Sequence, residues 1–83
     1  MKFKAEIDIM PLKEILDPQG KAVMLGLNNL GLKNISDVRV GKHITLELEA
    51  NSQKEAEEEV ELSCKKLLAN LIMESYHFTV KSI

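Results

Sequence analysis

Apolar and polar residues alternate along residues 2–10, which places the apolar side chains on one face and charged side chains on the other. Alternation of this kind predicts a β-strand with one buried face. Residues 35–40, 44–50 and 73–83 alternate in a similar way and predict three further strands. The predicted buried face of the first strand consists of Phe3, Ala5, Ile7 and Ile9.

Gly41 separates the second and third alternating segments. Glycine readily adopts the positive φ that a tight turn requires, so residues 40–43 are predicted to form a β-hairpin turn. Three cations, Arg39, Lys42 and His43, surround this predicted turn. They suggest either a solvated hairpin tip or a contact site for an acidic surface on another protein.

Two segments carry the start signals of helices. Asp17 is a suitable N-cap and Pro18 suits the first helical position, while Gly31 suits the position just after the end. Ser52, followed three residues later by Glu55, is typical of a capping box at the start of the second helix. The predicted buried stripes are Ala22, Val23, Gly26, Leu27 and Leu30 in the first helix, and Ala56, Val60, Cys64, Leu67 and Leu68 in the second.

The predicted order of elements is therefore β-α-β-β-α-β. This order favours an α+β two-layer sandwich with a four-stranded antiparallel sheet, ferredoxin-like or a close variant, and both helices on one face. At 83 residues the chain is expected to form one domain, and self-association would compensate for its small core. The open sheet face and the edge strands are expected to mediate that association.

Composition narrows the classes of function. The net charge of −2 gives no basic excess for a nucleic-acid partner. No apolar run is long enough to span a bilayer, and the alternating N-terminus does not resemble a signal peptide. The single cysteine is typical of a reducing compartment. We therefore expect a cytoplasmic protein without a nucleic-acid or membrane partner.

The residues indicate no catalytic or metal site. The glutamates of the second helix form a charge run that is typical of a solvated face. Cys64 lies within the predicted apolar stripe, where an inert buried thiol is expected. His43 and His77 have no further ligands at suitable spacing. The strand order is also that of RNA-recognition modules, but residues 42–50 contain no aromatic side chain on which a base could stack.

Three sequence blocks resemble the PurS family, the small subunit of phosphoribosylformylglycinamidine (FGAM) synthase. The blocks are LDPQGKAV at residues 16–23, SDVRVGKHITLELEA at residues 36–50, and CKKLLAN at residues 64–70. They occur in the family's order and make residues 1–83 a single PurS-like domain. The chain departs from the pattern at Leu71, where the family usually has proline, and in lacking the glycine usual before residue 16.

The resemblance implies a subunit without catalytic residues of its own. Its expected partners are a PurL-type synthetase, a PurQ-type glutaminase and further copies of itself, as a dimer or tetramer. It would bridge the other two subunits and assist the transfer of ammonia. No cofactor is expected in this chain, because ATP and Mg belong to the synthetase. A small-ligand regulatory domain of the same topology is the alternative, and a small acylphosphatase-like enzyme is a more distant one.

The site residues are inferred by matching the family blocks to this sequence. A helix cap and a tight turn account for Asp17, Pro18, Gly20, Gly41 and Ser52, which are expected to be structural. Residues 17–21 match the family's helix start and residues 39–42 match its hairpin, and no local geometry requires the other polar side chains of these two segments. These are the predicted partner-binding residues: Gln19, Lys21, Arg39 and Lys42.

Overall fold

The computed structural model describes residues 1–83 and contains three strands and two α-helices in the order β-α-β-α-β. A π-helical turn, Cys64–Leu68, continues the second helix. Both predicted N-caps are present, because Asp17 and Ser52 accept hydrogen bonds from Gly20 N–H and Glu55 N–H respectively. The elements are β1 (Lys2–Pro11), α1 (Pro18–Asn29), β2 (Lys42–Glu49), α2 (Gln53–Ser63) and β3 (Glu74–Ser82).

The prediction of a four-stranded sheet is wrong. The sheet has three strands in the order β2-β1-β3, and the central β1 is antiparallel to both neighbours. Residues 35–40 form no strand. The N–H of Val40 donates to the Asp17 carboxylate, and Arg39 donates to two main-chain carbonyls, so tertiary side-chain contacts replace a β-ladder here. What remains is a ferredoxin-like strand order without one edge strand.

The predicted hairpin turn at residues 40–43 is therefore also wrong. Gly31, just after α1, is the only residue with a positive φ, at 91°, as expected for the position after a helix. Gly41 instead leads directly into β2, close to the end of β1. A Cβ there would collide with the main-chain oxygen of Ile9 and the sulfur of Met10, so glycine is required for close approach rather than for a turn.

The core lies between β1 and α2. All four apolar residues of the predicted β1 face are buried, as are Ala56, Val60 and Cys64 of the predicted α2 stripe. The stripe fails at its end, because Leu67 is 83% exposed. In the π-helical turn the N–H of Ala69 donates to the carbonyl of Cys64, five residues earlier. This wider turn breaks the 3.6-residue period from which Leu67 was assigned to the core.

The prediction that both helices cover the sheet is wrong for α1. Gly20 is the only buried residue of α1, whereas Ala22, Val23, Gly26 and Leu30 of its predicted stripe are exposed. The protein is correspondingly long and flat, 52 × 27 × 14 Å. Its radius of gyration, 16.5 Å, exceeds the roughly 12 Å expected for a compact chain of this size. The first helix therefore projects from the sheet.

None of the helices combines the length and the apolar character that crossing a bilayer would require.

Candidate functional site

Three separate parts of the chain meet at Asp17, between β1 and α1. One carboxylate oxygen accepts a hydrogen bond from Gly20 N–H and the other from Val40 N–H, each at 3.0 Å. The first bond caps α1, as the sequence predicts. The second is a tertiary contact, because it attaches the segment that precedes β2 to the start of α1. Asp17 thus holds together residues that are 23 positions apart in the chain.

Arg39 strengthens the same junction from the other side. Its Nη2 group donates to the carbonyl oxygens of Pro11, at 2.6 Å, and Leu12, at 2.9 Å. Its Nε has no hydrogen-bond partner but lies 3.7 Å from Asp17 Oδ2, which places the two opposite charges side by side. The sequence interpretation found no local geometry that requires this side chain, and the structure gives it tertiary contacts instead. Nothing local could have revealed them, since the acceptors lie 27 and 28 positions away.

The surroundings of Asp17 keep its carboxyl group ionised. The hydrogen bond from Gly20 N–H is the largest cause of a lowered pKa, followed by the bond from Val40 N–H, and the charge of Arg39 acts in the same direction. Partial burial opposes these effects but does not outweigh them. Asp17 therefore retains its negative charge at neutral pH, beside the positive charge of Arg39.

Pro18 and Gly20 allow α1 to begin here with the chain near Val38 packed against its first turn. Pro18 occupies the first turn of α1, where the N–H it lacks would have no helical acceptor. A Cβ on Gly20 would collide with the carbonyl oxygen of Val38. Glycine therefore lets the returning chain pass directly against the helix. Pro18 and Gly20 therefore both fit the packing at this helix start.

Two adjoining grooves flank this junction and contain all four predicted partner-binding residues. The first groove, about 500 Å³, is lined by Gln19 and Lys42. The second groove, about 380 Å³, is lined by Lys21 and Arg39. Ile15 and Leu16 line both grooves and give them a shared apolar wall: Leu16 is 68% exposed. Residues from two distant sequence blocks are thus brought into one surface.

A carboxylate ties the first groove to the last strand. Glu74, at the start of β3, has Oε2 3.6 Å from Lys42 Nζ, and its Oε1 accepts a hydrogen bond from Asn70 N–H at 2.8 Å. Asn70 Oδ1 in turn accepts from Ile72 N–H, which closes the turn before β3. Asn70 also lines the first groove, so the third family block reaches this surface as well. The turn forms with Leu71 in place of proline.

The side chains that line the grooves are suited to binding another molecule. Their polar walls present the amide groups of Gln19 and Asn70 and the charges of Lys42 and Glu74, around apolar side chains such as Met73. These groups can donate and accept hydrogen bonds and form ion pairs with another surface.

The cysteine and both histidines lie outside the grooves. Cys64 is buried in the core as predicted, and burial raises the pKa of its thiol. His43 lies on the open sheet face, 2.6 Å from Asp8 and 3.8 Å from Glu6. No group of three or more His, Cys, Asp and Glu side chains is arranged so that it could hold a metal ion.

The chain is similar to known proteins over almost its whole length. A family model described as "PurS: Phosphoribosylformylglycinamidine (FGAM) synthase" matches residues 4–82. The FGAM synthase subunit PurS of Methanocaldococcus jannaschii is 37% identical, over 98% of each chain. The structure of Thermus thermophilus PurS superposes with a TM-score of 0.87, at 38% identity, over 100% of this chain and 99% of that one.

A chain in the structure of PurLQS from Thermotoga maritima is also similar. It superposes with a TM-score of 0.89, at 31% identity, over 98% of this chain and 99% of that one. These matches extend through residues 35–41, where the expected strand is missing. The backbone therefore superposes on these relatives over almost its whole length.

Proposed function

Because the chain belongs to the PurS family, we propose that it is the non-catalytic subunit of a multi-subunit FGAM synthase. In that complex it bridges the glutaminase and the synthetase and assists the passage of ammonia between them. The overall reaction consumes ATP and glutamine to convert formylglycinamide ribonucleotide (FGAR) into FGAM. The observation that carries this proposal is the match, over almost the entire chain, to a chain of PurLQS from Thermotoga maritima.

The geometry supports a bridging role. A flat molecule only 14 Å thick exposes most of its residues on two broad faces, which suits contact with more than one partner. The two grooves offer a partner both apolar walls and charged rims. The hydrogen bonds of Asp17 and Arg39 connect the segments that line both grooves.

The partners follow from the same proposal. They are a PurL-type synthetase, a PurQ-type glutaminase and further copies of this chain, as a dimer or tetramer, in the cytoplasm. ATP and Mg bind to the synthetase, and this chain holds no cofactor. Gln19, Lys21 and Lys42 are proposed to contact a partner through the grooves. Arg39 can contribute through the exposed part of its side chain, although its Nη2 group donates to main-chain carbonyls of this chain.

The test is reconstitution with the synthetase and glutaminase encoded in the same genome, in the presence of glutamine and ATP. We expect one larger species on size-exclusion chromatography that contains this chain, and FGAM formation that requires it. The combined change Gln19→Ala and Lys42→Ala should weaken assembly while the thermal stability is retained. Lys54→Ala, an exposed charge on α2, is the matched control. If this chain elutes alone and FGAM formation proceeds equally without it, the proposal is refuted.

A further inference from the structure

The turn that precedes β3, residues 70–74, is fixed by its own hydrogen bonds. The N–H groups of Met73 and Glu74 both donate to the carbonyl oxygen of Asn70, at 3.0 and 2.7 Å. Asn70 Oδ1 accepts from Ile72 N–H at 3.1 Å, and Glu74 Oε1 accepts from Asn70 N–H at 2.8 Å. The side chains that project from the 70–74 turn are therefore attached to a well-defined main chain.

The tip of this turn is apolar and exposed. Leu71, Ile72 and Met73 are 51%, 83% and 48% exposed. Surface turns are usually built from Gly, Pro, Asn, Asp and Ser, so three consecutive large apolar residues are unusual here. Met73 also lines the first groove together with Leu16, which is 68% exposed and extends the apolar surface. A contiguous exposed apolar surface of this kind indicates a contact with another molecule.

The charges beside the turn are already paired within the chain. Glu74 is the only charged residue of the turn. One of its oxygens accepts from Asn70 N–H, and the other lies 3.6 Å from Lys42 Nζ. The Glu74 side chain is only 23% exposed, so little of its carboxylate remains for another molecule. A partner at the turn would therefore meet apolar side chains rather than an unpaired charge.

A second copy of this chain offers no matching pocket. The chain has two grooves. The first groove has the 70–74 turn in its own wall, together with Lys42, and the second groove is lined by charged side chains that include Lys13, Glu14 and Asp37. An apolar side chain inserted into either groove would remove water from these charged groups, which is costly. The complementary pocket therefore belongs to a different protein.

We propose that the tip of the 70–74 turn, with Ile72 at its centre, is an anchor that inserts into an uncharged apolar pocket on another subunit of the complex. This inference rests on the proposed function and deepens it, because it specifies the chemistry of one contact between subunits. A few side chains that fill desolvated pockets carry most of the affinity of protein interfaces. A turn that is already ordered before binding loses little conformational entropy on binding.

The test measures the dissociation constant of the purified chain from the synthetase and from the glutaminase, singly and together, with glutamine and ATP present. Ile72→Gln and Leu71→Gln should each raise it at least about tenfold for the subunit that holds the pocket. Leu62→Gln is the matched control, since Leu62 of α2 is 55% exposed, close to the value for Leu71. It should bind as the wild type does. All three variants should melt near the wild type, because they change exposed side chains.

Two variants of opposite charge test the chemistry of the pocket. Ile72→Glu and Ile72→Lys should weaken binding to a similar extent, because an uncharged apolar pocket desolvates either charge without pairing it. If one of them binds as tightly as the wild type, the pocket is charged and the inference is overturned. Asn70→Ala removes the side-chain acceptor for Ile72 N–H. It should weaken binding less than Ile72→Gln, since the anchor remains but is less ordered.

The outcomes separate this inference from the proposed function. If the wild type joins the complex and Ile72→Gln and Leu71→Gln bind as tightly as Leu62→Gln, the inference fails while the proposed function is retained. If the wild type joins neither subunit, both are refuted. Light scattering of the isolated chain tests the other occupant. A lower mass for Ile72→Gln than for the wild type would assign the turn to a contact between copies, and would also overturn the inference.

Discussion

Replacement of Arg39 tests the central structural conclusion about the candidate site. Arg39→Met keeps most of the side-chain volume but removes the hydrogen bonds to the carbonyls of Pro11 and Leu12, and the charge beside Asp17. Hydrogen bonds that involve a charged group contribute about 1.5–3 kcal/mol each. The side chain of Arg39 is 24% exposed, so water partly replaces what is lost. We therefore expect a total loss of about 2 kcal/mol, below the sum of two such bonds.

This loss should be large on the scale of so small a protein. A change of 1 kcal/mol shifts the melting temperature of a 60–100-residue domain by about 4–8 °C, so Arg39→Met should melt about 8–16 °C lower than the wild type. Circular dichroism at several protein concentrations separates this effect from dissociation of an oligomer. The melting temperature of Arg39→Lys should lie between those of the wild type and Arg39→Met, because an ammonium group retains the charge but cannot donate as a planar fork.

The control is Lys54→Met, which removes an exposed charge that has no ion-pair partner in the structure. Its melting temperature should remain close to that of the wild type, as is usual for surface substitutions. If the melting temperature of Arg39→Met equals that of Lys54→Met, Arg39 does not stabilise the junction. The reasoning that assigns this side chain an internal role would then be refuted.

Two further predictions concern protonation. The pKa of Asp17 is lowered by hydrogen bonds from Gly20 and Val40, so its stabilisation should be complete above the unfolded-state pKa of about 3.9 and lost as the pH falls below it. The stability difference between the wild type and Asp17→Asn should therefore shrink in acid denaturation series, and a constant difference would contradict the assignment. The pKa of Tyr76, the only tyrosine, is raised first by desolvation and then by its hydrogen bond to Glu61. Folded Tyr76 should titrate above pH 10 in ultraviolet absorbance, with stability lost as the pH rises through that range, and Glu61→Gln should lower its pKa without abolishing the shift. An unchanged titration in Glu61→Gln would exclude that contact.

Short-range patterns in the sequence correctly predicted the features that depend on neighbouring residues, namely the buried face of β1 and the two helix caps. The alternation of residues 2–10 placed four side chains in the core correctly, because a strand packed on one face imposes its period directly. The caps Asp17 and Ser52 are likewise present, since each bonds to an N–H three residues away. Resemblance to a family correctly indicated membership. It also drew attention to Gln19 and Lys42, which the structure places on one groove.

Only the tertiary structure decided that residues 35–40 form a loop and that α1 does not pack on the sheet. Val38 and Val40 alternate as in a strand, but contacts with Asp17 and Gly20, about 20 residues earlier, hold them at a loop junction instead. The apolar residues of α1 require burial, yet their period is the same whether the cover is the chain's own sheet or another molecule. A helical period records which face is apolar and not what covers it. That choice depends on contacts between residues far apart in the chain, and such contacts leave no periodic signal in the sequence.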